Sequence, residues 1–168
     1  MQEIADPIAC VECPLQSCPG LRPLEPNQLS YMQRFKDGEI ALQRGDVLIE
    51  EGASHRRLFT LLDGVLIRSR ALEDGRRQIV NFMLPGDIFD LQALSDLKAD
   101  HSVTAITRCR VSVITSTLFV GMLKDSARLA SAFWWSAVQE ESILREQIVR
   151  IGRRSARERI GHLLLELH

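Results

Sequence analysis

Five glycines recur at nearly regular intervals through the middle of the chain, each in a turn-like context such as RGD, LDG or LPGD. The apolar segments between them are too short for typical helices. Short strands separated by turn signals about every 8 to 12 residues are typical of a β-sandwich or a jelly-roll barrel. We therefore expect strands from about residue 39 to residue 115. The five glycines are Gly45, Gly52, Gly64, Gly75 and Gly86.

One of these turns has the sequence of a tight hairpin. Asp74 and Gly75 separate the segments RSRAL and RRQIVNF. An Asp-Gly pair tolerates the positive φ angles that such a turn requires. The two segments are therefore predicted to be antiparallel neighbours.

The hydrophobic period becomes helical after Thr115. No proline occurs from about Thr117 to Ile151, and apolar or small residues recur there at spacings of three, four and seven. This spacing is typical of a coiled-coil seam, although Glu140 interrupts it. We expect one long helix that buries its stripe against a second copy, in a parallel homodimer. The predicted interface residues are Leu129, Phe133, Ala137, Leu144, Ile148 and Ile151.

A second helix is predicted after Gly152, which we expect to end the first one. Ser155 and Glu158 form the S-x-x-E pattern of a capping box. The chain ends at His168, where this helix has barely begun, so we expect only the start of a further domain. The predicted apolar face consists of Ile160, Leu163, Leu164 and Leu167.

The first 26 residues are rich in proline and cysteine, which predicts a loop-like arm. A short helix should follow, with Asn27 as its N-cap and Leu29, Met32 and Phe35 on one face. The arm contains the pattern C-x2-C-x4-C. Closely spaced thiolates on a flexible loop suit a soft metal ion or an iron–sulfur cluster. The cysteines are Cys10, Cys13 and Cys18.

Composition excludes several classes of protein. The net charge of −1 over 168 residues provides no global attraction to nucleic acid or an anionic membrane. No apolar run approaches the roughly 18 residues of a membrane span, and the N-terminus lacks the features of a secretory signal. We expect a cytoplasmic protein without a membrane partner, whose cysteines are thiols, metal ligands or redox sensors. Because no catalytic triad order, acid pair or phosphate-binding glycine loop occurs, we do not expect an enzyme.

Three segments carry a family resemblance: LQRGDVLIEEGASHRRLFTLLDGVLIRSR, GRRQIVNFMLPGDIFDLQAL and RRSARERIGHLLLEL. In order and spacing they resemble the Crp/Fnr family of bacterial transcription regulators, from about residue 8 to residue 168. The resemblance implies an α+β fold: a cyclic-nucleotide-binding-like jelly-roll barrel, a long dimerisation helix and the first helix of a winged helix-turn-helix domain. The implied divisions are an arm at 1–26, a sensor barrel at 27–116, the dimerisation helix at 117–151 and the DNA-binding start at 152–168.

The resemblance also places the DNA-reading elements of the family after residue 168. Affinity for DNA comes largely from phosphate neutralisation, and specificity comes from a helix in the major groove. We therefore expect DNA to be a partner only if the rest of the helix-turn-helix is supplied. In an intact protein, Arg153, Arg154 and Arg157 would contact phosphates, although such a charge run is also typical of a solvated face.

Relatives that bind cyclic AMP carry a phosphate cassette after their Gly-Asp turn: a Gly-Glu pair and, about ten residues later, Arg-Ser or Arg-Thr. Here the turn is Gly86-Asp87 and the cassette positions hold Asp90-Leu91 and His101-Ser102. Without the arginine the cyclic phosphate loses its main countercharge, and Asp90 would repel it. We therefore do not expect cyclic AMP as a ligand and interpret the cassette as a packing scaffold.

The arm resembles that of the oxygen-sensing Fnr branch, in which three arm cysteines and one barrel cysteine hold a four-iron, four-sulfur cluster. The resemblance implies Cys10, Cys13 and Cys18 as ligands and places the barrel cysteine at Ser112, whereas Cys109 lies three residues earlier. An odd offset along a strand reverses the face of the side chain. Three interpretations stay open: a redox-labile cluster with Cys109 as an adapted ligand, a zinc-like three-thiolate arm, and exposed arm thiols with a packed Cys109.

The leading hypothesis is the sensory and dimerisation region of a transcription regulator that responds to oxygen, redox state or nitric oxide. The alternatives are a ligand-free dimerisation module that forms DNA-binding-deficient heterodimers, and a cyclic-nucleotide-binding protein. His55 is expected to be exposed. Trp134 and Trp135 point about 100° apart on a helix, so one should face the barrel and the other the partner.

Overall fold

The computed structural model describes residues 2–4, 8–17, 25–95 and 97–166. These residues contain nine strands and four α-helices. The strands are β1 (Gln2–Ile4), β2 (Gly38–Leu42), β3 (Val47–Ile49), β4 (Arg57–Asp63), β5 (Leu66–Ala71), β6 (Arg77–Met83), β7 (Ile88–Phe89), β8 (Ser102–Ala105) and β9 (Cys109–Thr115). The helices are α1 (Pro26–Gln33), α2 (Ser116–Asp125), α3 (Ala127–Arg153) and α4 (Ala156–Glu166).

The strands form two antiparallel sheets that share one core. Their orders are β1-β2-β9-β4-β7 and β3-β8-β5-β6. On β9, alternate side chains such as Val111 and Val113 point into the core. Residues of both sheets contribute to this cluster, among them Leu42, Leu66 and Val103. The predicted jelly-roll barrel is confirmed.

The predicted hairpin at Asp74-Gly75 joins β5 to β6. Gly75 has a φ angle of +81°, and its N–H donates to the carbonyl oxygen of Leu72 at 2.9 Å. The N–H of Leu72 in turn donates to the carbonyl oxygen of Arg76 at 2.7 Å. The backbone thus closes the turn in the conformation that glycine favours, and the Asp74 carboxylate accepts further hydrogen bonds from Arg76.

A second apolar cluster covers the outer face of the five-stranded sheet. Leu58 on β4 contributes to it, whereas its neighbour Phe59 points into the barrel core. The rings of Phe119 on α2 and Phe133 on α3 meet edge to face, with centroids 4.7 Å apart. Leu15 of the arm is buried in the same cluster. The arm, the helices and the sheet thus meet in one packed layer.

The single helix predicted over 117–151 is wrong, because the structure divides it into α2 and α3. Ser126 between them has an extended backbone, and its hydroxyl accepts a hydrogen bond from the N–H of Leu129 at 3.3 Å. Serine is a preferred N-cap, so this break has a local cause. Gly152 does not end the helix, because α3 continues to Arg153.

Of the two other predicted helix starts, one is wrong and one is confirmed. Glu25, not Asn27, is the N-cap of α1, since Pro26 at the first helical position has a preset φ and needs no donor. The capping box at Ser155 is confirmed, with its N–H donating to Oε2 of Glu158 at 2.8 Å. None of the described helices has both the length and the apolar character that crossing a membrane requires.

Candidate functional site

The Gly-Asp turn lies between β6 and β7 and touches the arm. Gly86 has a φ angle of +101°, and a Cβ atom there would lie 3.1 Å from the carbonyl oxygen of Pro14. The N–H of Gly86 donates to the carbonyl oxygen of Leu61 at 2.8 Å. Oδ2 of Asp87 accepts from the N–H of Leu84 at 2.8 Å. Gly86 and Asp87 therefore build the turn and its contact with the arm.

A buried carboxylate occupies the first cassette position. Asp90 is 3% exposed and has a φ angle of +69°, in the left-handed region that Asp tolerates better than most residues. Its Oδ2 lies 2.5 Å from Nε2 of His55, and its Oδ1 lies 3.8 Å from Nε2 of His101. His101 Nδ1 lies 2.7 Å from Oδ1 of Asp100. The structure thus brings Asp90 and His101 close to each other.

The expectation of an exposed His55 is wrong, because this side chain is half-buried against Asp90. Burial raises the pKa of Asp90, and the charges of His55, His101 and Arg68 oppose the rise in that order. Removing the carboxylate from water therefore outweighs the nearby cations. An anionic ligand placed beside Asp90 would add a second charge to this desolvated position.

Asp90 and His101 line a cavity of about 310 Å³, which we call the cassette cavity. Two arginines that the sequence did not single out, Arg68 and Arg70, line it as well. Arg68 on β5 forms an ion pair with Glu140 on α3, and Nη2 of Arg70 lies 3.4 Å from Oε1 of Glu51. The hydroxyl of Ser102 accepts from the N–H of Glu51 at 3.0 Å. These groups have partners within the chain. The signal for them was the i, i+2 spacing of the arginines, which places both on one face of a strand.

The arm cysteines lie over a second, apolar cavity of about 60 Å³, the arm cavity. Cys10 and Cys13 line it together with Ser112, Phe119 and Phe133. Burial raises the pKa of both thiols, and for Cys10 the proximity of Cys13 raises it further. At neutral pH both groups are therefore held as thiols.

A buried charge cluster holds the arm in place. The buried carboxylate of Glu39 pairs with Lys36 and Arg110. The N–H of Ile8 donates to Oε1 of Glu39 at 2.7 Å, and Nζ of Lys36 donates to the carbonyl oxygen of Ile8 at 2.6 Å. The N–H of Cys10 donates to Oε1 of Gln33 at 2.8 Å. These side chains thus hold the part of the arm that carries Cys10 in place.

Cys109 lies in the barrel core, away from the arm thiols. It shares the inward face of β9 with Val111 and Val113, and its Sγ lies 3.3 Å from the carbonyl oxygen of Val65. Ser112 points to the opposite face, where it lines the arm cavity. β-strand alternation thus turns Cys109 away from Cys10 and Cys13. Cys18 lies outside the described residues, within which no three His, Cys, Asp or Glu side chains are grouped to hold a metal ion.

The predicted dimer residues divide into two sets along α3. Leu129 and Phe133 are buried inside the protomer, so assigning them to a partner interface is wrong. Ala137 and Leu144 are half-buried, and Leu144 lines the cassette cavity. Ile148 and Ile151 are 71% and 60% exposed. Other large side chains exposed on α3, which the seam omitted, are Trp134, Val138, Ile143 and Val149.

The arginines at the junction of α3 and α4 have different surroundings. Arg153 and Arg157 are exposed, whereas Arg154 is half-buried and pairs with Glu146. Ile160 and Leu164 on α4 are exposed, as the predicted apolar face requires. A phosphate contact through Arg154 would compete with its ion pair.

Comparisons with known proteins support the architecture. The family model of the cyclic nucleotide-binding domain matches residues 39–126. The nitrogen fixation regulation protein FixK of Bradyrhizobium diazoefficiens is 29% identical over 164 residues, covering 93% of this chain and 65% of that protein. The transcriptional activator protein FnrL of Cereibacter sphaeroides is 24% identical over 155 residues, covering 92% and 61%. The chain thus spans less than two thirds of these relatives, which are regulators and not enzymes.

Two solved structures have the same fold. FixK2 from Bradyrhizobium japonicum superimposes with a TM-score of 0.70 at 25% identity, covering 76% of this chain and 64% of that one. The sensor domain of the transcriptional regulator DNR from Pseudomonas aeruginosa gives 0.62 at 20% identity, covering 84% and 93%. The second similarity concerns the fold alone.

Proposed function

Since this chain belongs to the cyclic nucleotide-binding domain family and is homologous to Crp/Fnr regulators, we propose that it forms the sensory and dimerisation part of a transcription regulator that responds to redox state. The observation that carries the proposal is the position of Cys10 and Cys13 over the arm cavity. Phe119 and Phe133, which join α2 to α3, line the same cavity. A chemical change at the thiols would therefore act directly on the base of the dimerisation helix.

A cyclic nucleotide is the poorer candidate for the signal. The cassette cavity has a desolvated carboxylate at Asp90 and an imidazole at His101, where relatives that bind cyclic AMP have glycine and arginine. The remaining cation at the centre, Arg68, already pairs with Glu140. A cyclic phosphate would have to displace this pair and tolerate Asp90, which favours the thiol signal.

The chemistry that we propose is reversible disulfide formation between Cys10 and Cys13. The N–H of Cys13 lies 3.3 Å from the carbonyl oxygen of Cys10, and such an i to i+3 turn brings Cα atoms within about 7 Å. Disulfides need Cα atoms about 4.4–6.8 Å apart. Two S–H bonds break and one S–S bond forms, while hydrogen peroxide takes up the two protons and two electrons as its O–O bond breaks, giving two molecules of water. Because both thiols are protonated at neutral pH, we expect the reaction to be slow compared with that of an exposed thiolate.

An iron–sulfur cluster has weaker support from the described residues. Cys10 and Cys13 face a common cavity, but the residue of the barrel that faces them is Ser112. Cys109, with its side chain in the barrel core, does not fit as a ligand. The described residues therefore contribute two thiols to such a group.

Dimerisation is proposed through the exposed part of α3. Ile148, Ile151 and Val138 present apolar side chains to solvent in the protomer. Burying such a stripe against a second copy would remove it from water. The same stripe favours a second candidate function, a dimerisation module that pairs with longer relatives into DNA-binding-deficient heterodimers.

Peroxide treatment tests the redox proposal. We expect the anaerobically purified chain to lose two of its four titratable thiols in peroxide and to change its dimer dissociation constant, with both effects reversed by a dithiol reductant. Cys13→Ser should abolish the effects, whereas Cys109→Ser, a matched loss of one thiol, should leave them unchanged.

Two results would overturn this assignment. One is a redox response of Cys13→Ser equal to that of the original chain. The other is visible absorption with stoichiometric iron after anaerobic purification, which would replace the disulfide with a cluster. Equal dimerisation in both redox states would favour the ligand-free heterodimer module.

A further inference from the structure

A third cavity, the turn cleft, lies between the Leu84–Asp87 turn and α3. Its volume is about 590 Å³, within the range of roughly 300–1,000 Å³ that is usual for small-molecule sites. Phe82, Ile143 and Trp135 provide apolar lining, and Pro14 of the arm borders it. The barrel, the arm and α3 thus all contribute residues to the cleft.

Several side-chain hydrogen-bond acceptors line this cleft. The carboxylates of Asp87 and Glu140 line it from opposite sides, one on the turn and one on α3. Asn81 on β6 also lines it, is only 7% exposed, and has no hydrogen-bond partner for its Oδ1 atom. A buried acceptor without a partner is costly, which points to a donor that occupies the cleft.

The electrostatics favour a cation. Partial desolvation raises the pKa of Asp87, the hydrogen bond from the N–H of Leu84 lowers it, and the negative charge of Glu140 raises it by more than the charge of Arg68 lowers it. Arg68 pairs with Glu140, whereas the Asp87 carboxylate accepts a hydrogen bond from the N–H of Leu84. A positive ligand would relieve this repulsion, and the face of an indole such as that of Trp135 attracts cations. The apolar lining favours an organic cation over a hydrated metal ion.

We propose that the turn cleft binds a small aliphatic amine, with its ammonium group donating to Asp87 and Asn81 and its carbon chain against Phe82 and Trp135. Such a ligand contacts both the barrel turn and α3, so its binding would bias the position of the dimerisation helix. The proposed ligand contacts include neither Cys10 nor Cys13. Failure of either proposal therefore leaves the other intact.

Tryptophan fluorescence tests the site directly. The chain contains two tryptophans, and Trp134 is 73% exposed and does not line the cleft. In a Trp134→Phe chain, Trp135 is the remaining reporter. We expect a saturable fluorescence change with 1,4-diaminobutane at constant ionic strength, and none with the neutral 1,4-butanediol.

Matched variants identify the residues responsible. Asp87→Asn retains an oxygen for the N–H of Leu84 but removes the charge, and it should weaken binding at least about tenfold. Asn81→Leu should weaken it as well, with circular dichroism confirming that the barrel is folded. Asp74→Asn removes an exposed carboxylate from another turn and should have no effect.

Several outcomes would overturn the proposal: no saturable response, an equal response to the diol, or an equal loss of affinity in Asp74→Asn and Asp87→Asn. A response to magnesium chloride that competes with the diamine would assign the cleft to an inorganic cation instead. An unchanged affinity in a folded Asn81→Leu chain would remove the buried amide from the site.

Discussion

The two halves of α3 have the same apolar spacing but different surroundings. Leu129 and Phe133 at its start are buried against α2 and the barrel, whereas Ile148 and Ile151 near its end are exposed. Glu140 lies between the two halves and pairs with Arg68 on the barrel. Apolar side chains are therefore packed inside the protomer at the start of the helix, whereas those near its end stay exposed. The same apolar spacing thus occurs in two different environments along a single helix.

The largest effect is expected in the buried half. Phe133→Ala should lower the free energy of unfolding by about 3–5 kcal/mol, because it removes a ring that packs against Phe119 and leaves a cavity. Chemical denaturation in a monomeric background measures this change. A loss under about 1 kcal/mol would show that the first half is not part of the protomer core.

The exposed half should control association. The double substitution Ile148→Glu and Ile151→Glu should raise the dimer dissociation constant at least about 100-fold, since each buried isoleucine contributes about 1.5–3 kcal/mol. Sedimentation at several concentrations gives the constant. Monomer stability should change little, because both side chains are already exposed. Persistence of the dimer in this variant would contradict the division.

A smaller loss of stability is expected when the Arg68–Glu140 ion pair in the middle of α3 is broken. Glu140→Ala should cost about 1–3 kcal/mol, because it leaves the buried Arg68 without its carboxylate. The neighbouring substitution Glu141→Ala is the control, because it breaks an exposed pair with Arg145 and should cost under about 1 kcal/mol. Equal losses in denaturation would mean that the pair does not attach α3 to the barrel.

The smallest effect concerns the pH dependence of the barrel beside this ion pair. Because the pKa of Asp90 is raised in the folded state, the stability from its protonated form is present in acid and lost as the pH rises through that pKa. Asp90→Asn lacks this loss and suits the left-handed backbone. The stability of the variant relative to the original chain should therefore increase from about pH 4 to about pH 8, by under about 1 kcal/mol.

Denaturation at matched pH values measures this difference. His101→Gln, which removes one facing imidazole, is the comparison variant and should leave the direction of the change intact. A relative stability of Asp90→Asn that falls with rising pH would show that the ionised carboxylate stabilises the barrel.

Local chemistry alone determined a large part of this protein. Glycine adopts positive φ angles easily, which predicted the hairpin turn at Gly75. The Ser155–Glu158 pair predicted the start of α4, because a capping box acts within a few residues. The break at Ser126 was equally local, and its capping signal was present in the sequence. The family resemblance also identified, without the structure, that Asp90 and His101 stand where the cassette has glycine and arginine.

Only the tertiary structure decided which surfaces these elements meet. Helical periodicity places Phe133 and Ile148 on one apolar stripe but does not say what each contacts. Phe133 packs on its own barrel, whereas Ile148 faces solvent. Strand alternation reverses Cys109 relative to Ser112, but only the packed arm shows that Cys10 and Cys13 lie on the side of Ser112. His55 meets Asp90 across 35 positions of chain. Such contacts depend on long-range packing, which no local propensity encodes.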